Sequence, residues 1–217
     1  MLIKVCGMRD SANIDSVRRL NPNMIGLIFY ARSPRFVGLE PLPHLTASFA
    51  PTLKVGVFVN ETVAVVADIA ARFNLNAVQL HGSENPAECA ALRQTGLKVI
   101  KAFGISAAAD FAQCASYSGC CDLLLFDTRT AGYGGVGVKF DWNILAEYKQ
   151  DTPFLLSGGI SADDAADIRS ISHPQLAGID LNSRFETAPA LKDIEKLEQF
   201  IKQIRPTTDK TATQIRP

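Results

Sequence analysis

The stretch "LLSGGISADDA", residues 155–165, reads as the end of a strand, a Ser-Gly-Gly turn and the start of a helix. Its apolar run stops at Leu156, the glycines break the pattern, and Ser161 stands where a helix N-cap belongs. The same unit recurs along the chain. Apolar, β-rich runs begin at Leu2 ("LIKVC"), Met24 ("MIGLIFY"), Leu53 ("LKVGVFV") and Asn76 ("NAVQL"). Four more begin at Leu97 ("LKVIKAF"), Cys121 ("CDLLLFD"), Pro153 ("PFLLSG") and Leu176 ("LAGIDL"). The starts lie roughly 21 to 32 residues apart, the length of a strand plus a crossover helix. The runs are nearly continuous in apolar residues rather than alternating, as parallel strands covered on both faces require.

Between the runs, "SANIDSVRRL", "ETVAVVADIAARF", "NPAECAALRQTG", "DWNILAEYK" and "SADDAADIRSI" carry apolar residues at helical spacing. Asn60, Asn85, Asp141 and Ser161 are the expected caps, and "DIEKLEQFIKQI" is an amphipathic last helix. Eight strands alternating with helices, with no linker between halves, predict an α/β fold, a single closed (β/α)8 TIM barrel. An open doubly wound sheet is the competing arrangement. The barrel is expected over residues 1–206 and a polar C-terminal tail outside the core over 207–217, where "QIRP" repeats.

Composition narrows the function. Of 217 residues, 47% are hydrophobic and 20% charged, enough for a sizeable core. Lys+Arg and Asp+Glu number 22 each, so the basic footprint of a nucleic-acid binder is absent and a nucleic-acid partner is not expected. No apolar run reaches membrane-spanning length, and no signal-peptide pattern opens the chain. The five cysteines do not form a disulfide framework, and no CxxC or His/Cys cluster suggests a metal. Reduced thiols, a cytoplasmic location and no membrane partner are the expectation.

In a barrel, chemistry sits where strands end. Cys6 and Gly7 follow the first run, and Arg32 and Arg35 in "RSPRFV" follow the second. Gln79 and His81 close the fourth, as candidate lining of the barrel mouth. Asp127 ends the sixth, where a carboxylate costs free energy unless partnered or used. The glycines Gly132, Gly134, Gly135 and Gly137 then suggest a loop able to close over a ligand. Gly158 and Gly159 follow the seventh run, and Asn182, Ser183 and Arg184 the eighth. Loops after strands seven and eight are the recurrent phosphate site of such barrels. From the residues alone, Cys6 is either a small buried side chain or a reactive thiol, and Asp127 either a structural or a functional carboxylate.

Together, "KVCGMR", "GLIFYARSPRFV", "KVGVFVN", "AVQLHG", "LLLFD", "GGVGVKFDW", "LSGGI" and "GIDLNSRFE", in this order, resemble the phosphoribosylanthranilate isomerases of tryptophan biosynthesis. The resemblance runs from Ile3 to about Ile204. It implies a (β/α)8 barrel and an Amadori rearrangement needing neither metal nor organic cofactor. The implied substrate is N-(5-phosphoribosyl)anthranilate and the product 1-(2-carboxyphenylamino)-1-deoxyribulose 5-phosphate. It further implies Cys6 as general base, Asp127 as general acid and Arg35 as holder of the anthranilate carboxylate. The phosphate falls to the Gly158–Gly159 pair and the Asn182–Ser183–Arg184 turn. One position departs: where the family usually has glycine, this chain has Arg184. A monomer or homodimer, working on a phosphorylated small molecule, is expected. Another barrel reaction, such as a lyase or ring-closing synthase, and a non-catalytic phosphate binder are the alternatives.

Overall fold

A computed structural model describes residues 1–129 and 139–205. Strands β1 (Leu2–Val5), β2 (Met24–Ile28), β3 (Leu53–Phe58) and β4 (Ala77–Leu80) pair in parallel with β5 (Lys98–Ile105), β6 (Leu123–Thr128), β7 (Phe154–Leu156) and β8 (Leu176–Leu181). The order is β1 through β8, and β8 pairs back on β1. The expected (β/α)8 barrel is therefore the fold, and all eight apolar runs are its strands. The glycine-rich segment after β6 and the 207–217 tail lie outside the described residues.

The connections are less regular than the sequence pattern suggests. Helices α1 (Ser11–Arg19), α2 (Pro43–Thr46), α3 (Val63–Arg72) and α4 (Pro86–Gln94) follow the first four strands. After β5 comes a 3₁₀ segment, Ala108–Tyr117, and after β6 another, Trp142–Glu147. The segment expected as a helix from Ser161 opens with 3₁₀ residues Ala162–Asp164 and becomes the short helix α5 (Ala165–Ser170). An antiparallel hairpin, β9 (Glu186–Ala188) with β10 (Leu191–Lys192), precedes α6 (Ile194–Ile204). Among the caps, Asn85 forms a full capping box with Glu88, and Asp141 accepts from the Asn143 N–H. Asn60 does not cap α3; it takes a left-handed φ of 56° and Thr62 caps instead.

An aromatic cluster supports the poorly helical side. The Phe126 ring lies 5.1 Å from Phe111, 5.0 Å from Tyr148 and 4.7 Å from Phe154. These rings supply the burial that a full helix would otherwise provide. Inside the barrel, Leu2, Met24, Val55, Ala77, Ile100, Leu125 and Leu155 form an apolar floor. Period-two alternation then turns Lys4 and Cys6 of β1 to the same face as Leu2. That floor puts polar interior residues near the C-terminal ends of the strands. No helix among the described residues is long and apolar enough to cross a membrane.

Outside the barrel wall, Lys54 is fully buried and donates to the backbone carbonyls of Leu45 and Phe73, each at 2.7 Å. It thereby closes the C-terminal ends of α2 and α3, where a cation is favoured. Burial pulls its pKa down to about 8. A lysine with a folded pKa below its unfolded one gains stability as pH rises between the two. Lys54→Met should cost about 1–3 kcal/mol at pH 7 by stranding two carbonyls. In urea unfolding, the wild-type advantage over this variant should grow between pH 8 and about 10.

Candidate active site

One cavity opens at the C-terminal ends of the strands, with a volume of about 720 Å³ including the solvent at its mouth. It collects residues from across the chain. Cys6 of β1, Gln79 and His81 of the β4 end, Asp127 of β6, and Gly158 and Gly159 after β7 all line it. Asn182, Ser183 and Arg184 after β8 complete the wall. Every expected site residue except Arg35 reaches this one space, though they span most of the sequence.

Cys6 sits 4% exposed at the end of β1. Its place depends on Gly26 of the neighbouring strand: a Cβ there would lie 2.7 Å from the Cys6 sulfur and 3.1 Å from its Cα. Gly26 also accepts from the N–H groups of Gly7 and Met8, both at 3.0 Å, which turns the chain away after Cys6. Burial pushes the Cys6 thiol up, while the Lys4 ammonium beside it favours the thiolate. Lys4 is 0% exposed and its Nζ stands 3.0 Å from both carboxylate oxygens of Asp180. Arg9 is exposed and braces the loop after β2 by donating to the Pro34 and Phe36 carbonyls.

Across the cavity, Asp127 accepts the Thr128 N–H at 2.8 Å through Oδ1. Its Oδ2 faces His81 Nε2 at 3.5 Å. The Gln79 amide donates to His81 Nδ1 at 2.8 Å, so a neutral His81 ring carries its proton on Nε2, toward Asp127. Gln79 Oε1 is buried with no hydrogen-bond partner among the described residues. His81 thus orients toward the carboxylate rather than merely filling a strand end.

Gly158 and Gly159 take φ values of 87° and 67°, a region side chains rarely adopt. A Cβ at Gly158 would meet Thr128 Oγ1 at 2.4 Å and Asp127 Oδ1 at 3.0 Å, so this turn packs directly on the acidic strand end. Asp164 takes the Ser161 N–H at 2.6 Å and pairs with Lys139. The helix start after β7 is therefore capped by its own carboxylate, leaving the glycine turn as the open element. After β8, Ser183–Phe185 form a 3₁₀ turn in which Arg184 is exposed and is not among the residues of positive φ. The backbone at this position accepts a side chain without strain.

Arg35 lies behind the wall. Its Nε and Nη2 clasp Glu186 at 2.6 to 3.0 Å, a bidentate pair. Lys192 also holds Glu186, at 2.6 Å, and donates to Asn182 Oδ1 at 2.7 Å. Gly7 makes the room: a Cβ there would lie 2.6 Å from Arg35 Cδ and 2.8 Å from Asn182 Oδ1. Arg32 is exposed and stands apart from this cluster. Among the described residues, no group of three His, Cys, Asp or Glu side chains has the arrangement to hold a metal ion.

The model of the N-(5′-phosphoribosyl)anthranilate (PRA) isomerase family matches residues 3–203. This chain belongs to that family. N-(5′-phosphoribosyl)anthranilate isomerase of Parabacteroides distasonis is 51% identical over 94% of this chain and 93% of its own. The solved phosphoribosyl anthranilate isomerase of Thermotoga maritima has a TM-score of 0.79 and 30% identity, over 94% of this chain and 98% of its own. A further solved phosphoribosyl anthranilate isomerase, 28% identical with a TM-score of 0.79 over 94% and 98%, is in complex with reduced 1-(o-carboxyphenylamino)-1-deoxyribulose 5-phosphate.

Within this PRA isomerase barrel, sequence reasoning missed Gly26, Asp180 and Lys192. Gly26 is the one residue without a side chain in "MIGLI", and Asp180 the one carboxylate in "LAGIDL", so both carried a readable signal. Gly26→Ala should displace the Cys6 sulfur and cost about 1–3 kcal/mol, as overpacked sites do. Denaturant unfolding measures the cost; a variant as stable as wild type would show that β1 and β2 separate easily here.

Proposed function

We propose that this chain converts N-(5′-phosphoribosyl)anthranilate to 1-(2-carboxyphenylamino)-1-deoxyribulose 5-phosphate by general acid–base catalysis, with Cys6 as base and Asp127 as acid. The observation that carries the reading is that Cys6 and Asp127 line one cavity together with both turns suited to phosphate. Family membership over residues 3–203 supports the same substrate.

The chemistry follows from the groups in place. Asp127 gives a proton to the ribose ring oxygen as the C1–O bond breaks, and the nitrogen lone pair forms a Schiff base. Cys6, as thiolate, takes the proton from C2, and the electron pair moves into the C1–C2 bond to give an enolamine. Tautomerisation, with a proton added at C1, yields the aminoketose. Neither proton transfer needs an oxidant or a metal. His81 keeps Asp127 oriented, and the buried Gln79 Oε1 accepts from a sugar hydroxyl, which satisfies an otherwise stranded acceptor.

The two ends of the substrate are held apart from the chemistry. The phosphate lies against the Gly158–Gly159 turn and the Asn182–Ser183 backbone, with Arg184 at the solvent edge. Glu186 locks the Arg35 fork through Nε and Nη2, so its remaining Nη1 edge is the one that receives the anthranilate carboxylate. Pinning both ends gives the reacting carbon a fixed position between acid and base.

A coupled assay with freshly made substrate tests the roles. Cys6→Ala and Asp127→Asn should each lose about 10²–10⁴-fold in kcat while still binding a product analogue. Unchanged turnover in either variant removes that residue from the mechanism. Arg184→Gly should leave KM within about twofold of wild type, since the residue is exposed and interactions between exposed charges are weak. A rise of tenfold or more would make Arg184 a direct phosphate ligand.

A further inference from the structure

The base assigned to Cys6 works against its surroundings, because burial favours the neutral thiol. Something in the barrel must favour the thiolate as the C2 proton transfers. Lys4 is two residues earlier on β1, so both side chains project into the barrel, with Lys4 one layer below the thiol. It is wholly buried, and its register partner on β8 is Asp180. Asp180 receives two of the three ammonium donors, at 3.0 Å each. The Asp180 carboxylate that holds the ammonium lines the same cavity as Cys6, so the positive charge sits below the thiol and favours its thiolate form.

We propose that Lys4, oriented by Asp180, is a positioning residue that stabilises the Cys6 thiolate, so that the third ammonium donor serves the base. The proposal rests on the reading of Cys6 as that base. The other charged groups facing the sulfur come from β8 and β10. The Asp180 carboxylate on β8 opposes the thiolate. Lys192 on β10 favours it, but its ammonium is already held by Asn182 Oδ1 at 2.7 Å and Glu186 Oε1 at 2.6 Å. Asp127 on β6 and His81 just after β4 act on Asp180. Lys4, two residues before Cys6 on the same inward face, is thus the cation that the barrel interior itself supplies to the base. A pair serving only to join β1 to β8 gains little over two apolar side chains, since burying both charges offsets their attraction.

The test measures the thiol itself. Alkylation of Cys6 by iodoacetamide is followed against pH by peptide mass spectrometry in wild type, Lys4→Met, Asp180→Asn and the double variant Lys4→Met/Asp180→Asn. The double variant removes both charges together, so it folds even where the single one leaves a lone buried carboxylate. The midpoint of the alkylation curve should rise by about one unit or more, or leave the accessible range, so that Cys6 reacts about tenfold more slowly below it. A packing change alone alters the plateau and not the midpoint. Because Asp180 opposes the thiolate, the double variant is compared with Asp180→Asn alone; a folded double variant with the same midpoint as Asp180→Asn overturns the proposal. The pH profile of kcat/KM separates the two assignments. If the alkylation midpoint moves and the kinetic profile stays put, Lys4 tunes the thiol but Cys6 is not the base; if both stay put, Lys4 has no such role.

Discussion

The contact between Lys4 and Asp180 is where fold and site meet. A buried ammonium without a partner would be prohibitively costly, and breaking such a pair typically costs about 3–5 kcal/mol. The two residues are register partners on β1 and β8, the strands whose pairing closes the barrel. The pair therefore exists only when the sheet closes in the correct register. A slip of one residue in either strand would turn that strand's member of the pair out of the interior and leave the other charge unpaired. Cys6 stands one layer above, directly after β1, and Asn182 follows directly after β8, so the same closure sets the Cys6 thiol beside the turn after β8.

Around that point, absent side chains matter as much as present ones. Gly26 leaves the space that the Cys6 sulfur fills, and Gly7 leaves the space crossed by Arg35 and Asn182. Gly158 lets the turn after β7 sit on Asp127 and Thr128. Each glycine brings two distant functional groups within a few ångströms of one another. The network of Arg35, Glu186, Lys192 and Asn182 then ties the loop after β2 to the β9–β10 hairpin. Arg35 and the turn after β8 are thereby parts of one hydrogen-bonded assembly.

Much of this was readable in the sequence because strand ends announce themselves. A polar residue that stops an apolar run, as at Cys6, Asp127 and Ser157, marks where a strand leaves the barrel. The same logic applied inside a run would have found Asp180, whose carboxylate interrupts "LAGIDL" in the middle. Helix type was harder to read. Over six residues, as in "WNILAE", an α-helix and a 3₁₀ segment place apolar residues alike, so Trp142–Glu147 matched either. Lys192 gave no sequence signal, because its burial depends on a two-stranded hairpin that pairs with itself and hydrogen-bonds to Asn13 of α1. Arg184 shows the converse. A position where glycine is usual proves compatible with a side chain because the local turn keeps φ out of the left-handed region.

In the proposed roles, acid, base and both phosphate turns face one bound sugar, and Arg35 reaches the anthranilate end from behind the cavity wall. A crystal structure of the protein with the reduced product analogue tests this arrangement most directly. The phosphate should lie on the Gly158–Gly159 and Asn182–Ser183 turns and the carboxylate at Arg35, with Cys6 Sγ and the Asp127 carboxylate within contact distance on opposite sides of the ribulose chain. An analogue bound with its phosphate elsewhere, or with Cys6 and Asp127 both away from the sugar carbons, would contradict it.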